Sequence, residues 1–361
     1  IVAISAALFC GALFAGGVNN YEGPDNGDWS ADANWSQGHV PRPDEDVGIA
    51  GVTVNAPGMI NVMSLHLLEA TLCIGDKTSR PHIAPVIDGD LTLVEGSKLY
   101  VYAGELTDYD VFETDAKATE AIRAAANVVT IAGDFTVEDT SVVYPECGEI
   151  TGVPVIFKVD GDFTLAEGAS FNATKRGWGW MADEWGKQPK YAKPCRGEGA
   201  WKAQGWTFAF GPAFSYPGSG SNYGFASSGT KQSRDGKTYC YCQSYGLSFA
   251  PFLPGSPSSG HYATTLDAFR SERGPGSIVI LCQGTATVDG LMNANGLMSG
   301  AQGSSGGGIM LAAQAFEFGE SASLTAEGGG ASGAFKPGYG GRIALLTGFL
   351  DGELTDILKG D

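Results

Sequence analysis

Residues 87–93 read Ile-Asp-Gly-Asp-Leu-Thr-Leu and are followed by Val-Glu-Gly-Ser-Lys-Leu-Tyr-Val. Similar sequences recur as Ile-Ala-Gly-Asp-Phe-Thr-Val at 131–137 and as Val-Asp-Gly-Asp-Phe-Thr-Leu at 159–165. Looser copies occupy 282–288 and 315–326. Each copy is a short alternating strand, a turn of glycine or acidic residues, and a second short strand. One such unit cannot bury its apolar face alone, so the repeat predicts a stacked β solenoid.

The alternation within each copy also predicts which side chains form the core, because every second residue of a strand lies on the same face. The predicted inward residues are Leu91, Leu93, Phe135, Val137, Phe163, Leu165, Ile278, Ile280, Ile343 and Leu345. A β-sandwich of antiparallel hairpins is the alternative. The solenoid is favoured because the copies share residue types as well as a period of two.

Two insertions interrupt the repeat. Residues 114–127, TDAKATEAIRAAAN, are rich in helix-forming residues and predict one short helix. Residues 175–273 form a long segment of Gly, Ser, Pro and aromatic residues without sustained periodicity, and a loop of this length is usually functional or disordered. The predicted organisation is a truncated signal peptide at 1–17, an N-terminal β-rich cap segment at 18–85 and a parallel β-helix at 86–361.

Composition and the first residues indicate the compartment. The 361 residues carry a net charge of −18, which argues against a nucleic-acid partner because such proteins need a basic surface. The uncharged run at 1–15 has the character of a secretory h-region and is short for a membrane span. Without Cys10 six cysteines remain, an even number that suits an oxidising compartment, although their pairing stays open. We therefore expect a secreted or cell-surface protein that is not integral to a membrane once the signal is removed.

Longer stretches carry a resemblance to a known group. Residues 161–180, 245–256, 276–296, 304–313 and 338–346 alternate glycine-rich turns with Ile-rich or Phe-rich strands. This text resembles glycine-rich right-handed parallel β-helix modules of large exported bacterial surface proteins. Residues 27–49, GDWSADANWSQGHVPRPDEDVGI, are similar to an opening common in exported bacterial β-proteins. The resemblance implies an all-β, right-handed parallel β-helix with a structural or adhesive role at a cell-envelope surface.

The insertion contains the candidate ligand-binding residues. Between 175 and 202 it has seven basic residues against three acidic ones, and it holds five tryptophans. Exposed tryptophans stack on sugar rings, and basic side chains pair with carboxylate or sulfate groups, so an acidic polysaccharide is the expected partner. The candidate residues are Trp178, Trp180, Trp185, Lys187, Lys190, Tyr191, Lys193, Arg196, Trp201 and Trp206. The alternative is that the tryptophans fold inward as a structural cap.

Catalysis and metal binding have weaker signals. A polysaccharide lyase or glycoside hydrolase on the same scaffold is the competing interpretation, with Asp183, Glu184 and Tyr191 as nearby acid–base groups. No sequence motif assigns a catalytic residue, a metal ligand or a cofactor. Acidic turns at 25–32 and 44–46 have the oxygen ligands that Ca²⁺ prefers, but their spacing does not fit an EF-hand, and solvated turns are the favoured interpretation.

Overall fold

The computed structural model of the chain describes most of the repeat region and little of the long insertion. The described residues are 18–105, 124–149, 151–177, 250–255, 273–299, 302–330, 338 and 340–348. The regular secondary structure of these residues is almost entirely β-strand, with one short 3₁₀ helix at Asp32–Asn34. In the described part, no helix is long and apolar enough to cross a membrane.

The strands form three parallel sheets. The first sheet has eight strands in the order β1 (Val18–Asn20), β3 (Asp46–Ala50), β6 (Ser64–Leu68), β9 (Leu91–Val94), β12 (Phe135–Val137), β15 (Phe163–Leu165), β18 (Thr285–Val288) and β23 (Ala315–Phe318). The second also has eight, in the order β2 (Gly27–Asp28), β4 (Thr53–Ala56), β7 (Thr71–Ile74), β10 (Lys98–Tyr102), β13 (Val142–Glu146), β16 (Ser170–Asn172), β19 (Leu291–Asn293) and β24 (Ser323–Thr325).

The third sheet has seven strands in the order β5 (Asn61–Val62), β8 (Val86–Ile87), β11 (Asn127–Ile131), β14 (Val155–Val159), β17 (Ser277–Cys282), β22 (Gly308–Ala313) and β25 (Arg342–Thr347). A separate antiparallel pair joins β20 (Met298–Ser299) to β21 (Gln302–Gly303). Successive repeats therefore give one strand to each sheet, as β9, β10 and β11 do before β12, β13 and β14. The prediction of an all-β chain with parallel pairing is confirmed, and the sandwich of antiparallel hairpins is wrong.

The Gly-Asp pair of the repeat has a direct structural role. Oδ1 of Asp90 accepts the backbone N–H of Asp134 at 2.9 Å, and Oδ1 of Asp134 accepts that of Asp162 at 2.8 Å. Oδ1 of Asp162 in turn accepts the N–H of Thr285 at 2.7 Å. Each carboxylate thus accepts from a backbone donor of the following repeat and links the two repeats. The preceding glycine is required by close approach, because a Cβ on Gly161 would lie 2.6 Å from the carbonyl oxygen of the preceding repeat.

Eight of the ten predicted core residues, from Leu91 to Ile280, are fully buried, as the alternation predicted. The strand pairing aligns them, since Phe135 lies opposite Leu91 on one side and Phe163 on the other. The ring of Phe135 packs at 5.6 Å from Phe163 and 5.9 Å from Phe171, which forms the aromatic centre of the core.

The prediction was wrong for Ile343 and Leu345, which are each 44% exposed. Both keep the inward register, because they pair with the buried Ile309 and Leu311. Among the described residues their strand, β25, is the edge strand of the third sheet, so no further described strand of that sheet covers their outer side. Alternation gives the direction of a side chain, whereas burial also needs a neighbour on each side.

The first strands belong to the same three sheets as the later repeats. Tyr21, Trp29 and Trp35 are buried at this end. Trp35 Nε1 donates to the carbonyl oxygen of Trp29 at 2.7 Å, and the two rings meet edge to face at 4.7 Å. The two tryptophans of the 27–49 segment therefore close one end of the hydrophobic core. The predicted signal peptide and nearly all of the predicted helix fall outside the described residues.

Candidate functional site

All ten residues proposed from sequence to bind a glycan lie between 178 and 206, outside the described residues. The structure does describe the two places where the insertion meets the repeats. The segment up to Gly177 leads into it, and Arg273 begins the segment that follows it. The site is therefore built from the side chains at these two junctions.

A row of aromatic side chains lies on the outer face of the second sheet beside these junctions. On β10, Leu99 and Val101 point into the core, so Tyr100 and Tyr102 point outward. On β13 the same alternation turns Tyr144 outward, directly opposite Tyr100. The rings of Tyr100 and Tyr144 stack with centroids 4.4 Å apart and an interplanar angle of 21°. The strand register therefore assembles an aromatic group that the linear sequence separates by 44 positions.

This aromatic group is covered by an arginine rather than left open. The guanidinium of Arg176 lies 4.2 Å from the ring centroid of Tyr144 and 5.5 Å from that of Tyr100. A cation over a tyrosine face is attracted by the ring quadrupole. Arg176 thus occupies space over the rings that a stacking sugar would need. Tyr100 and Tyr144 can therefore contact a ligand through their ring edges, beside the charge of Arg176. A sugar ring would have to stack on other aromatic side chains.

Glu146 joins the two sides of the insertion. Glu146 is 5% exposed, and one of its carboxylate oxygens pairs with Arg176, two residues before Trp178. The other oxygen accepts from Arg273 Nη1 at 2.9 Å. Arg273 also donates from Nε to the carbonyl oxygen of Gly177 at 2.9 Å and from Nη2 to that of Cys147 at 3.1 Å. A single buried carboxylate therefore ties together the residues that lead into and out of the insertion.

A third arginine reaches the same corner from another loop. Arg80 is 6% exposed, and its Nη1 donates to the carbonyl oxygen of Cys147 at 2.8 Å. Its guanidinium carbon lies 5.9 Å from the Tyr102 ring centroid. We call the set Arg80, Glu146, Arg176 and Arg273 the arginine corner. The set itself holds three cations and one carboxylate, an excess of two positive charges in a protein of net charge −18, and the Glu105 carboxylate lies close by, against Gly148.

The thiols and phenols beside the corner favour their neutral forms. Burial raises the pKa of the Cys73 and Cys147 thiols, and the Glu146 carboxylate adds to the effect at Cys73. Burial raises the pKa of Tyr102 to about 12, helped by Cys73 and Glu146. A nucleophilic thiol needs a lowered pKa, and a general acid works best with a pKa near the ambient pH. These groups are therefore poorly suited to proton transfer, whereas the arginines are suited to binding anions.

The described cysteines give no support to the expectation of an oxidising compartment, because they do not form disulfides with one another. Cys73, Cys147 and Cys282 are free thiols. Cys147 Sγ lies 3.5 Å from the hydroxyl of Ser277, and Cys282 Sγ donates to the carbonyl oxygen of Gly161 at 3.2 Å. Both sulfurs are held as buried polar groups of the core rather than as disulfide partners.

The acidic turns near the first strands serve as hydrogen-bond acceptors. Asp25 Oδ1 accepts the backbone N–H of Thr53 at 2.8 Å, and this bond lowers the pKa of Asp25. Asp28 accepts from the N–H and hydroxyl of Ser30, each at 2.8 Å. In the described residues, no three acidic, His or Cys side chains converge in a way that would hold a metal ion.

Sequence reasoning identified Arg176 among the basic residues of the insertion but missed Glu146, Arg80 and Arg273 as partners. Their positions in the sequence were the available signal, because Arg176 and Arg273 stand at the two ends of the insertion and Glu146 ends a strand. Comparison with known protein families, with curated proteins and with solved structures finds no match for this chain.

Proposed function

We propose that this chain is an exported structural or adhesive protein, built as a right-handed parallel β-helix, that binds acidic polysaccharide at a cell-envelope surface. Support for the β-helix comes from the three parallel sheets, to which each repeat contributes one strand in turn. Support for the ligand comes from the arginine corner together with the basic, tryptophan-rich composition of the adjoining insertion.

The excess charge of the arginine corner is the observation that carries the choice of an acidic ligand. Positive groups clustered in an acidic protein repel one another and gain by binding an anion, and Arg is the residue best shaped for carboxylate and sulfate groups. The corner lies where the insertion begins and ends, so the described cations and the insertion's Lys and Trp residues would share one binding region. Salt screens such attraction over a distance of about 8 Å at physiological ionic strength.

Binding to immobilised polysaccharides tests the proposal. The full chain should bind polyuronates or sulfated glycans, bind neutral glycans at least tenfold more weakly, and release the acidic ones as salt rises. Arg273→Met should weaken acidic binding, whereas Arg42→Met should not, because Arg42 is an exposed residue of the first segment of the chain and is not part of the arginine corner. Equal binding of neutral and acidic polymers, or no binding to any of them, would contradict the proposal.

The same incubation distinguishes the competing class of enzyme. A lyase or hydrolase would shorten the bound polymer, and a lyase would also leave unsaturated sugar ends. We expect the acidic polymer to be recovered at its original length. Shortened product that forms with the native chain and not with Arg273→Met would assign catalysis to this region instead.

A further inference from the structure

We propose that Arg80 is a ligand-binding residue, and that it holds one oxyanion, a uronate carboxylate or a sulfate ester, at the arginine corner. This inference deepens the proposed function, on which it rests for the source of the ligand. It assigns binding to one residue of the protein, Arg80, and to one acidic group of the sugar, a carboxylate or a sulfate ester.

The state of Arg80 in the protein is the first argument. Its side chain is more than nine-tenths buried, yet within the described residues its Nη2 has no hydrogen-bond partner. No described carboxylate lies within ion-pair distance of its guanidinium either. Burying an ionised group is unfavourable unless it is paired and hydrogen-bonded. The unsatisfied Nη2 is the atom that an incoming oxyanion would satisfy.

The side-chain hydrogen bond that Arg80 makes within the described residues is duplicated by Arg273, which is the second argument. The carbonyl oxygen of Cys147 accepts from Arg80 and also from Arg273. Removing Arg80 would therefore leave that carbonyl with a donor. Arg273 is paired with the Glu146 carboxylate, whereas no described carboxylate pairs with Arg80, so the charge of Arg80 is the one left without compensation.

The geometry of the group selects the chemistry of the ligand. A guanidinium presents N–H donors in a fixed planar fork that matches two oxygens of one carboxylate or sulfate. The Tyr102 ring beside Arg80 gives the fork an apolar wall, which strengthens a charge-assisted bond by excluding water. Arg80 lies in the strand-free connection from β7 to β8, and we expect this connection to move outward when the ligand enters.

Calorimetric titration of the full-length chain with monosaccharides tests this inference. The probes are a uronic acid, a sulfated sugar and the neutral parent sugar, and the variants are Arg80→Met and Arg80→Lys. Arg42→Met is the matched control, because it removes an exposed arginine of the first segment. We expect at least one acidic sugar to bind the native chain and Arg80→Met to weaken its affinity about tenfold or more. The affinity of Arg80→Lys should lie between these two, because lysine keeps the positive charge but lacks the planar fork of N–H donors. The stronger of the two acidic sugars identifies the oxyanion.

The melting temperature of the ligand-free variants distinguishes a ligand-binding role of Arg80 from a structural one. A structural role predicts that Arg80→Met melts at a lower temperature than the native chain. Arg80→Met should melt no lower than the native chain, since it removes a buried unpaired charge and keeps the apolar volume. A clear loss of stability in Arg80→Met, together with unchanged sugar affinity in Arg80→Lys, would overturn the inference.

The outcomes separate the two proposals. If polymers bind but Arg80→Met binds them and the acidic sugars as the native chain does, the inference fails and the proposed function stands. If acidic sugars bind through Arg80 and no polymer does, the site holds a free small oxyanion and the proposed function fails. If neither sugars nor polymers bind, both fail.

Discussion

Replacing Phe163 by Ala tests the core that the repeat builds. Phe163 is fully buried, and its ring lies 5.6 Å from Phe135 and 5.8 Å from Phe171. On its other side it pairs with Ala286, whose methyl group is too short to fill a vacated space. The truncation therefore leaves a cavity and removes two aromatic contacts, and we expect a loss of about 3–5 kcal/mol of unfolding free energy.

The matched control is Phe318→Ala. Phe318 lies on β23, the last strand of the same sheet, and is 48% exposed. Its truncation should cost less than about 1 kcal/mol, because half of the ring is already in water. Urea unfolding followed by circular dichroism gives both values, and Phe163→Leu should fall between them because it keeps most of the volume. Equal costs for the two alanine variants would refute the assignment of Phe163 to the core.

Two further predictions concern a buried thiol and the aspartate ladder, the hydrogen bonds by which Asp90, Asp134 and Asp162 link successive repeats. Asp134→Ala removes the acceptor for the backbone N–H of Asp162 and should lower the unfolding free energy by about 1 kcal/mol. Asp134→Asn keeps an acceptor oxygen and should lower the unfolding free energy less. Equal losses for the two variants in urea unfolding would argue against the ladder. Burial raises the pKa of Cys282 from 9.0 to about 11, so the neutral thiol stabilises the folded state below pH 9 and this contribution is lost as pH rises from about 9 to 11. Urea unfolding across this range should show a steeper fall for the native chain than for Cys282→Ala, and parallel curves would contradict the shift.

The repeat made the parallel architecture predictable because its signals are local. The alternation around Leu91 and Phe163 sets the inward face, and the Gly-Asp pair marks where each repeat turns. These features depend on neighbours within a few positions of sequence. Ile343 shows the limit of that information, since its alternation is correct but nothing local shows that its strand is the last of the sheet.

The arginine corner was less predictable because it depends on distant pairs. Glu146 and Arg273 are separated by 127 positions, and Arg80 and Cys147 by 67. An outward residue such as Tyr144 follows the same alternation as an ordinary solvated position, so period alone does not distinguish it. Only the strand register, which places Tyr144 opposite Tyr100 and brings the ends of the insertion together, reveals the group.

A crystal structure of the chain with an acidic oligosaccharide tests the central claim most directly. The account predicts a carboxylate or sulfate oxygen within hydrogen-bond distance of Arg80 Nη2, about 2.7–3.2 Å, with the saccharide extending from the Tyr100 and Tyr144 edges toward the insertion. An oligosaccharide ordered on another face of the sheets, or bound beside the insertion without contact to any of the three arginines, would contradict it.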